Sequence, residues 1–553
     1  MLHMPVLPRS GYFELNLRIR FASAYNVYRD EMTELTLRRG FLMSISQAKF
    51  WGMITILAAV LVGWWIGGNT PSARDTVPAQ SEIAETAADV PSGFPKHIIL
   101  FIGDGMQLEN ERAVSYYLAG TDRAVVWDDF EYQGYVSTWD IDTYNRFAAR
   151  AGASRFDPDT FNALIGYDPS RGGTAQWPID LSGQTSYFLT ALPKWVGGSG
   201  SYAVPATDSA SAATALATGY KTDEGNISWK SGDPAGGALE TIAERLRRQR
   251  GYAIGVVSTV QFSHATPAAF VAHNVSRGNT TEIAREIINT TKPEVVIGGG
   301  HPGWLSGYIG SRELESLRNS DEYVLVEKRA GQNGGESLLA GAARAIEEHK
   351  RLFGLFGGGN GCFEPPVPQD TPGSPDFEIG AEDPSLAQAV TSALSVLGND
   401  PDGFFLMVEQ GDIDWANHYN NYHWMIGSMW SLDQAVRGAV DFVNRPGDDI
   451  DRSNTLIIIT ADHATGFMRL NPAVSMTPGD LPEMTGTKYH YRYPGGEVSY
   501  GGTVHTNELV MVHATGSGAG LFQRYEGASY PGSRIIDNTD IYRVMVEAAG
   551  LQE

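Results

Sequence analysis

Cysteine is all but missing from this 553-residue chain, with Cys362 the only one. No disulfide can close within the chain and no thiolate cluster can hold a metal. Any metal must therefore be bound by His, Asp, Glu and hydroxyl groups. Positive charge is also scarce. Lys and Arg number 41 against 64 Asp and Glu, a formal charge of −23. This acidic balance argues against nucleic acid as a partner. The surplus of carboxylates serves solubility, or gathers around cations. The long uncharged run that draws attention is 50–68, FWGMITILAAVLVGWWIGG, sufficient to span a bilayer and long for a signal-peptide core. Arg9, Arg18, Arg20, Arg29, Arg38, Arg39 and Lys49 precede it, so the positive-inside rule puts everything after Gly68 outside the cytoplasm. The stretch Thr70–Ala73 is a poor cleavage site, which favours a transmembrane signal anchor over a cleaved signal peptide. Residues 1–49 are then a cytoplasmic extension, or a start-site artefact if Met43 is the first residue. Residues 69–94, rich in Pro, Ala, Ser, Asp and Glu, read as a flexible linker.

From Lys96 onward, apolar runs alternate with amphipathic stretches. The pattern predicts strands over 97–102, 253–259, 294–297, 403–408 and 455–460, and helices over 238–248, 281–289, 338–349, 384–397 and 425–443. This is the signature of an α/β fold: a doubly wound, mostly parallel central sheet covered by helices on both faces. In such a sheet, sites form beyond the carboxyl ends of the strands. Asp104 follows the first predicted strand, His264 and Thr266 the second, Glu409, Asp412 and Asp414 the fourth, and Asp462 and His463 the fifth. Two segments, 141–204 and 466–502, interrupt the alternation within a catalytic domain spanning 95–553. They read as long irregular insertions that overhang the site.

The stretch Ala206–Ala215, ATDSASAATA, is dominated by small residues, with Gly219 shortly after it. A helix starting at Ser209 and ending near Thr218 is predicted. A serine there stands next to unpaired backbone N–H groups and the positive end of the helix dipole, a seat for an anion such as phosphate. The plainer reading is a serine-capped, tightly packed helix. As a nucleophile, Ser209 would need activation by a base or a metal. Taken singly, the other candidates are equally plain: Gly103-Asp104-Gly105 as a tight turn, Asp414 and His418 as a chance i, i+4 pair, Arg277 and His505 as solvated or satisfied side chains.

Together they resemble the alkaline phosphatase family in order and local wording. The resemblance runs through IILFIGDGM (98–106), TDSASAAT (207–214), HATPAAFVAH (264–273) with Ser276-Arg277, EQGDIDWANH (409–418), TADHATG (460–466) and VHT (504–506). It implies an alkaline phosphatase-like fold and a site for two Zn²⁺ and one Mg²⁺. By position, one Zn²⁺ falls to Asp414, His418 and His505, and the other to Asp104, Asp462, His463 and the Ser209 oxygen. Mg²⁺ falls to Asp104, Thr266 and Glu409. The implied activity is hydrolysis of phosphate monoesters to an alcohol and inorganic phosphate through a phosphoserine on Ser209. Arg277 would grip the phosphate and Asp208 would orient Arg277. Two positions depart from some members: His264 stands where they have Asp, and is placed in the second shell of Mg²⁺, and Trp415 stands near the site where they have Lys. Members of the family are commonly dimers, so the resemblance also implies a homodimer. The rival readings are a phosphodiesterase or sulfatase of the same superfamily, and a non-catalytic, membrane-tethered phosphate-binding protein.

Overall fold

The strands of this protein are apolar on both faces, and that dictates where they lie. A computed structural model describes residues 94–165 and 206–552, apart from Asp448. The run 50–68, the linker up to residue 93 and most of the 141–204 insertion fall outside the described residues. The central sheet has ten strands: β1 (His97–Gly103), β2 (Tyr132–Ser137), β3 (Ala253–Gln261), β4 (Val295–Gly299), β5 (Tyr323–Glu327), β6 (Arg351–Leu355), β7 (Phe404–Gln410), β8 (Thr455–Thr460), β9 (Val510–Gly516) and β10 (Ile535–Asp537). Their spatial order is β10-β2-β9-β8-β1-β7-β3-β4-β6-β5. Every residue of β1, β3, β7 and β8 is buried, as a sheet covered on both faces requires. From β8 across to β5 all pairings are parallel. β9 alone runs against both of its neighbours. The expected doubly wound, mostly parallel sheet is present, and all five predicted strands lie in it. Among the described residues no helix is long and apolar enough to cross a membrane.

The departures have local causes. The helix expected from residue 238 begins at Ile242, because the Thr241 side chain caps it by accepting from Glu244 N. The one expected over 281–289 is α-helical over Thr280–Glu286 and continues as a π-helical turn over Ile287–Thr291. The 141–204 insertion is not irregular at its start. Counting helices from the N-terminal end, α1 spans Leu108–Ala119 and α2 spans Ile141–Ala151. Ile141, Tyr144, Phe147 and Ala148 of α2 are buried, a helical spacing diluted in the sequence by the Gly-rich residues that follow. The 466–502 segment is also more ordered than expected, being rooted by an antiparallel pairing of Met468–Leu470 with Val498–Tyr500.

The third helix, α3 (Ser209–Thr218), has every residue buried and packs against the helices Ala265–Val271 and Asn538–Ala548. Only a helix of small side chains can be enclosed this closely. Its N-cap is Asp208, whose carboxylate accepts from Ser211 N, so the serine-capped reading is replaced by an aspartate cap with Ser209 as the first helical residue. Gly219 ends α3 at φ 75°, and a Cβ there would lie 2.5 Å from Tyr542 Cδ1. Gly219→Ala is therefore expected to lower unfolding free energy by about 2 kcal/mol, combining left-handed strain with displacement of Tyr542. Urea denaturation measures this, and a wild-type midpoint would show that neither constraint matters.

Candidate active site

The carboxyl ends of β1, β7, β3 and β8 deliver their following residues to one place. Asp104 follows β1, Glu409 is the penultimate residue of β7, and Asp462 and His463 follow β8. The short helix Asp412–His418 carries Asp414 and His418 one turn apart. The loop after β1 can approach that helix only because residue 105 is glycine. Gly105 has φ 70°, and a Cβ on it would fall 2.7 Å from the Asp414 Cα. Its N–H donates to Asp462 Oδ1 at 3.0 Å.

Among the described residues three groups of potential metal ligands result: Asp414, His418 and His505; Asp104, Asp462 and His463; and Asp104, His264 and Glu409. In the first, His418 Nε2 lies 3.2 Å from Asp414 Oδ2 and His505 Nε2 lies 3.5 Å from Asp414 Oδ1. The two Nε2 atoms are 3.1 Å apart. Each ring's other nitrogen meets a backbone carbonyl, His418 Nδ1 at Thr503 O (2.7 Å) and His505 Nδ1 at Thr207 O (2.8 Å). A carbonyl can only accept, so both Nδ1 atoms carry hydrogen and the Nε2 lone pairs are available for a shared cation. Burial opposes charging His418, yet Asp414 beside it draws its pKa up to about 9, so proton and metal compete for the same lone pair.

The second group is built alike. His463 Nε2 is 3.5 Å from Asp104 Oδ1 and 3.3 Å from Asp462 Oδ2. Its Nδ1 is 3.3 Å from Thr465 Oγ1, whose proton goes to Asp414 Oδ1 at 2.6 Å. Ser209 Oγ stands 3.2 Å from His463 Nε2 and 3.5 Å from Asp104 Oδ2. The His463 and His505 rings stack at 3.7 Å, tying the first group to the second. Asp104 belongs to the second and third groups alike. In the third, Ser258 Oγ donates to Glu409 Oε2, and Thr266, buried in the first turn of the helix Ala265–Val271, sits beside the Glu409 carboxyl.

These carboxylates are poorly compensated by the protein itself. Asp104 Oδ1, Glu409 Oε1 and Asp462 Oδ2 are buried with no hydrogen-bond partner. Burial, reinforced by the neighbouring carboxylates, pushes Asp104 well above the usual range. Burial likewise raises Glu409 to about 8 and Asp462 to about 7. Buried carboxylates without donors are what a cation site looks like before its charge is counted.

Arg277 reaches the residue that precedes Ser209. Its Nη1 donates to Asp208 Oδ2 at 2.8 Å, and its Nη2 is 3.2 Å from His264 Nε2. Burial, then Arg277, lowers His264 to about 3, so His264 is neutral and accepts from the guanidinium. Three of the five guanidinium N–H groups remain for another ligand, and the side chain is 30% exposed. Burial opposes ionisation of Asp208, but Arg277 and Ser211 hold it below the ordinary carboxylate range. Trp415 is half-buried on the helix that carries Asp414.

The candidate ligands Asp104, His264, Thr266, Glu409, Asp414, His418, Asp462, His463 and His505 meet here with Ser209, Asp208 and Arg277, Trp415 is placed only by its neighbour Asp414, and Asp412, although buried, belongs to none of the ligand groups. Sequence reasoning missed Thr465, Ser211, Asp140 and the carbonyls of Thr207 and Thr503. Thr465, Ser211 and Thr207 stand inside the matched blocks, but nothing in those blocks distinguishes a hydroxyl or carbonyl that supports a ligand from one that does not. Asp140 had no signal at all.

Comparison with known proteins identifies the family. The family described as alkaline phosphatase matches residues 188–485, a span holding Ser209, Arg277 and Asp414 but not Asp104 or His505. Alkaline phosphatase 3 of Bacillus subtilis is 32% identical over 265 residues, 47% of this chain and 49% of that protein. The match thus spans about half the length of that relative. Alkaline phosphatase of Escherichia coli is 30% identical over 422 residues, covering 68% of this chain and 79% of the relative. The solved structure of Thermus thermophilus alkaline phosphatase shares the fold, with TM-score 0.54 and 19% identity over 84% of this chain and 93% of that one. With a match over more than half its length and a relative aligned over most of its own, this chain belongs to the alkaline phosphatase family.

Proposed function

We propose that the chain hydrolyses phosphate monoesters to an alcohol and inorganic phosphate, with Ser209 as nucleophile. The observation that carries this reading is the position of Ser209 Oγ. It lies within 3.5 Å of both Asp104 and His463, at the first residue of α3 and next in the chain to Asp208, the partner of Arg277. Two Zn²⁺ and one Mg²⁺ suit the donor types. Asp414, His418 and His505 would hold one zinc, Asp104, Asp462, His463 and Ser209 the other, and Asp104, Thr266 and Glu409 the magnesium. Their chemistry when bound is to lower the pKa of coordinated hydroxyl groups and offset charge on the oxygens entering and leaving phosphorus.

The protein's own groups do the rest. His463 is a poor base for Ser209, because burial depresses its pKa. Ser209 Oγ, its proton given up to solvent, attacks phosphorus in line with the departing alkoxide, which takes a proton from water, and a phosphoserine forms. Water then loses a proton and attacks phosphorus from the side opposite Ser209, which leaves and is reprotonated, so configuration is retained after two inversions. Arg277 uses its remaining N–H groups on two phosphate oxygens that do not react, which orients the group as well as neutralising it. Asp208 points Arg277 and prevents its charge from turning elsewhere. A monoester offers a second charged oxygen to this fork and a diester does not, which favours phosphatase over phosphodiesterase. His264 reads as a support for Arg277 in addition to its place beside Asp104 and Glu409. The reading includes a catalytic domain outside the cytoplasm, tethered through residues 50–68.

Ser209→Ala is expected to lower kcat by three or more decades while zinc content, measured by atomic emission, stays near wild type. Activity within about threefold of wild type would remove Ser209 from its role. Arg277→Ala is expected to cut monoester kcat/KM by one to two decades, the size of a charge-assisted hydrogen bond, with much less effect on a diester. An unchanged monoester-to-diester ratio would favour the phosphodiesterase reading. Treatment with EDTA is expected to abolish turnover of p-nitrophenyl phosphate and lower the melting temperature, with both restored by Zn²⁺ and Mg²⁺ together. Turnover that survives full chelation would exclude a metal-dependent reaction.

A further inference from the structure

The Asp208 carboxylate divides its two oxygens. Oδ2 takes Arg277 Nη1, while Oδ1 takes Ser211 N at 3.0 Å, Gly225 N at 3.2 Å and Ser211 Oγ at 2.7 Å. Three donors on one oxygen hold the rotamer that aims the other at Arg277. Two of the three are backbone groups, fixed by the fold. The third, the Ser211 hydroxyl, has other claimants. Asp140 Oδ2 and the Asp208 carbonyl oxygen are each 3.3 Å away, and Thr207 Oγ1 is 2.9 Å away. Ser211, Asp140 and Thr207 are all at most 2% exposed, so no solvent competes within the cluster. Asp140 has its own structural task, since its Oδ1 caps α2 by accepting from Thr143 N at 2.6 Å.

A hydroxyl has one proton to give. When Asp140 and Asp208 are both ionised, they compete for the proton of Ser211. Whatever share Asp140 takes is lost to the oxygen that steadies the partner of Arg277. Thr207, which can donate to Ser211 Oγ, favours the Asp208 side by occupying a Ser211 lone pair and reinforcing the chain of donors. We infer that Ser211 is a positioning residue for phosphate binding, and that Asp140 opposes it by competing for the same hydroxyl proton. This inference rests on the proposed role of Arg277 as the phosphate fork. It makes Asp140, the cap of the helix that opens the 141–204 insertion, a determinant of how firmly phosphate, substrate or product, is held.

The two variants have opposite expected signs, which a general loss of packing would not produce. Ser211→Ala keeps the backbone donor, suits a helix and removes only the hydroxyl. Asp140→Asn keeps an N-cap oxygen for Thr143 and turns the competing acceptor into an N–H donor toward Ser211 Oγ. The metal-loaded full chain is studied at pH 9, where both carboxylates are ionised. Calorimetry gives Kd for inorganic phosphate, and kinetics give KM and kcat for p-nitrophenyl phosphate. Ser211→Ala is expected to raise Kd and KM about three- to tenfold, and Asp140→Asn to lower Kd about two- to threefold. Neither substitution is expected to change Kd in an Arg277→Ala background, where the group they position is gone. The inference is overturned if both variants shift Kd in the same direction, if Ser211→Ala leaves it unchanged, if either effect persists without Arg277, or if wild type binds no phosphate. Phosphate binding that responds as described in a chain without phosphatase turnover would keep this inference and defeat hydrolysis. Turnover with an unresponsive Kd would do the reverse.

Discussion

Mutual repulsion among buried carboxylates is the constraint on which this site depends. Asp104, Glu409 and Asp462 are each at most 1% exposed, and each keeps one oxygen without a hydrogen-bond partner. A parallel sheet brings them together because its strands all end on the same side. With β8, β1, β7 and β3 side by side, the residues that follow them have nowhere else to go. Such a cluster costs free energy unless a cation offsets it. The fold therefore supplies a rigid set of donors at the cost of leaving them strained until a metal binds, and links stability to metal binding.

Around that cluster, most of the organisation comes from groups that take no part in chemistry. Backbone carbonyls of Thr503 and Thr207 select the tautomers of His418 and His505, and the Thr465 hydroxyl does the same for His463 while also holding Asp414. Thr207 is a junction. Its carbonyl receives His505 from the first ligand group, and its hydroxyl meets Ser211 beside the Asp208–Arg277 pair. The two halves of the proposed reaction centre, one for metals and one for phosphate oxygens, thus lean on the same short stretch of chain ahead of α3. The burial of α3 on all sides makes that stretch stiff, since a helix of small residues is gripped closely by the helices against it.

How Arg277 is held carries a further lesson. A guanidinium fixed by one carboxylate alone could rotate about that contact. Here Asp208 takes one terminal nitrogen and the neutral His264 ring takes the other, so the plane is set and three N–H groups stay available. A carboxylate at position 264 would compete with the phosphate for the same cation, whereas a neutral imidazole orients it without offsetting its charge.

The architecture was legible in the sequence because burial on both faces forces a distinctive composition. Runs such as HIILFIG and TLIIIT could be nothing but central strands of a covered sheet, and the doubly wound arrangement followed. The ligand residue types were legible too, through their position after those strands and through six blocks of wording shared with a known family. Helix ends were placed less well. Caps such as Thr241 and Asp208 depend on which side chain turns back on its own backbone, and several neighbouring polar residues could have done so. α2 was hidden because its periodicity occupies only the first eleven residues of a longer Gly-rich segment. The antiparallel β9, and the partners that orient the site, were decided by tertiary structure alone. Asp140 and Ser211 are 71 residues apart, and Asp414 and Thr465 are 51 apart. Side chains that far apart in sequence meet only because the sheet order puts their strands and helices next to one another. No local pattern encodes a hydrogen bond between them, so the sequence specified which chemistry was available and the packed fold decided how each group is aimed.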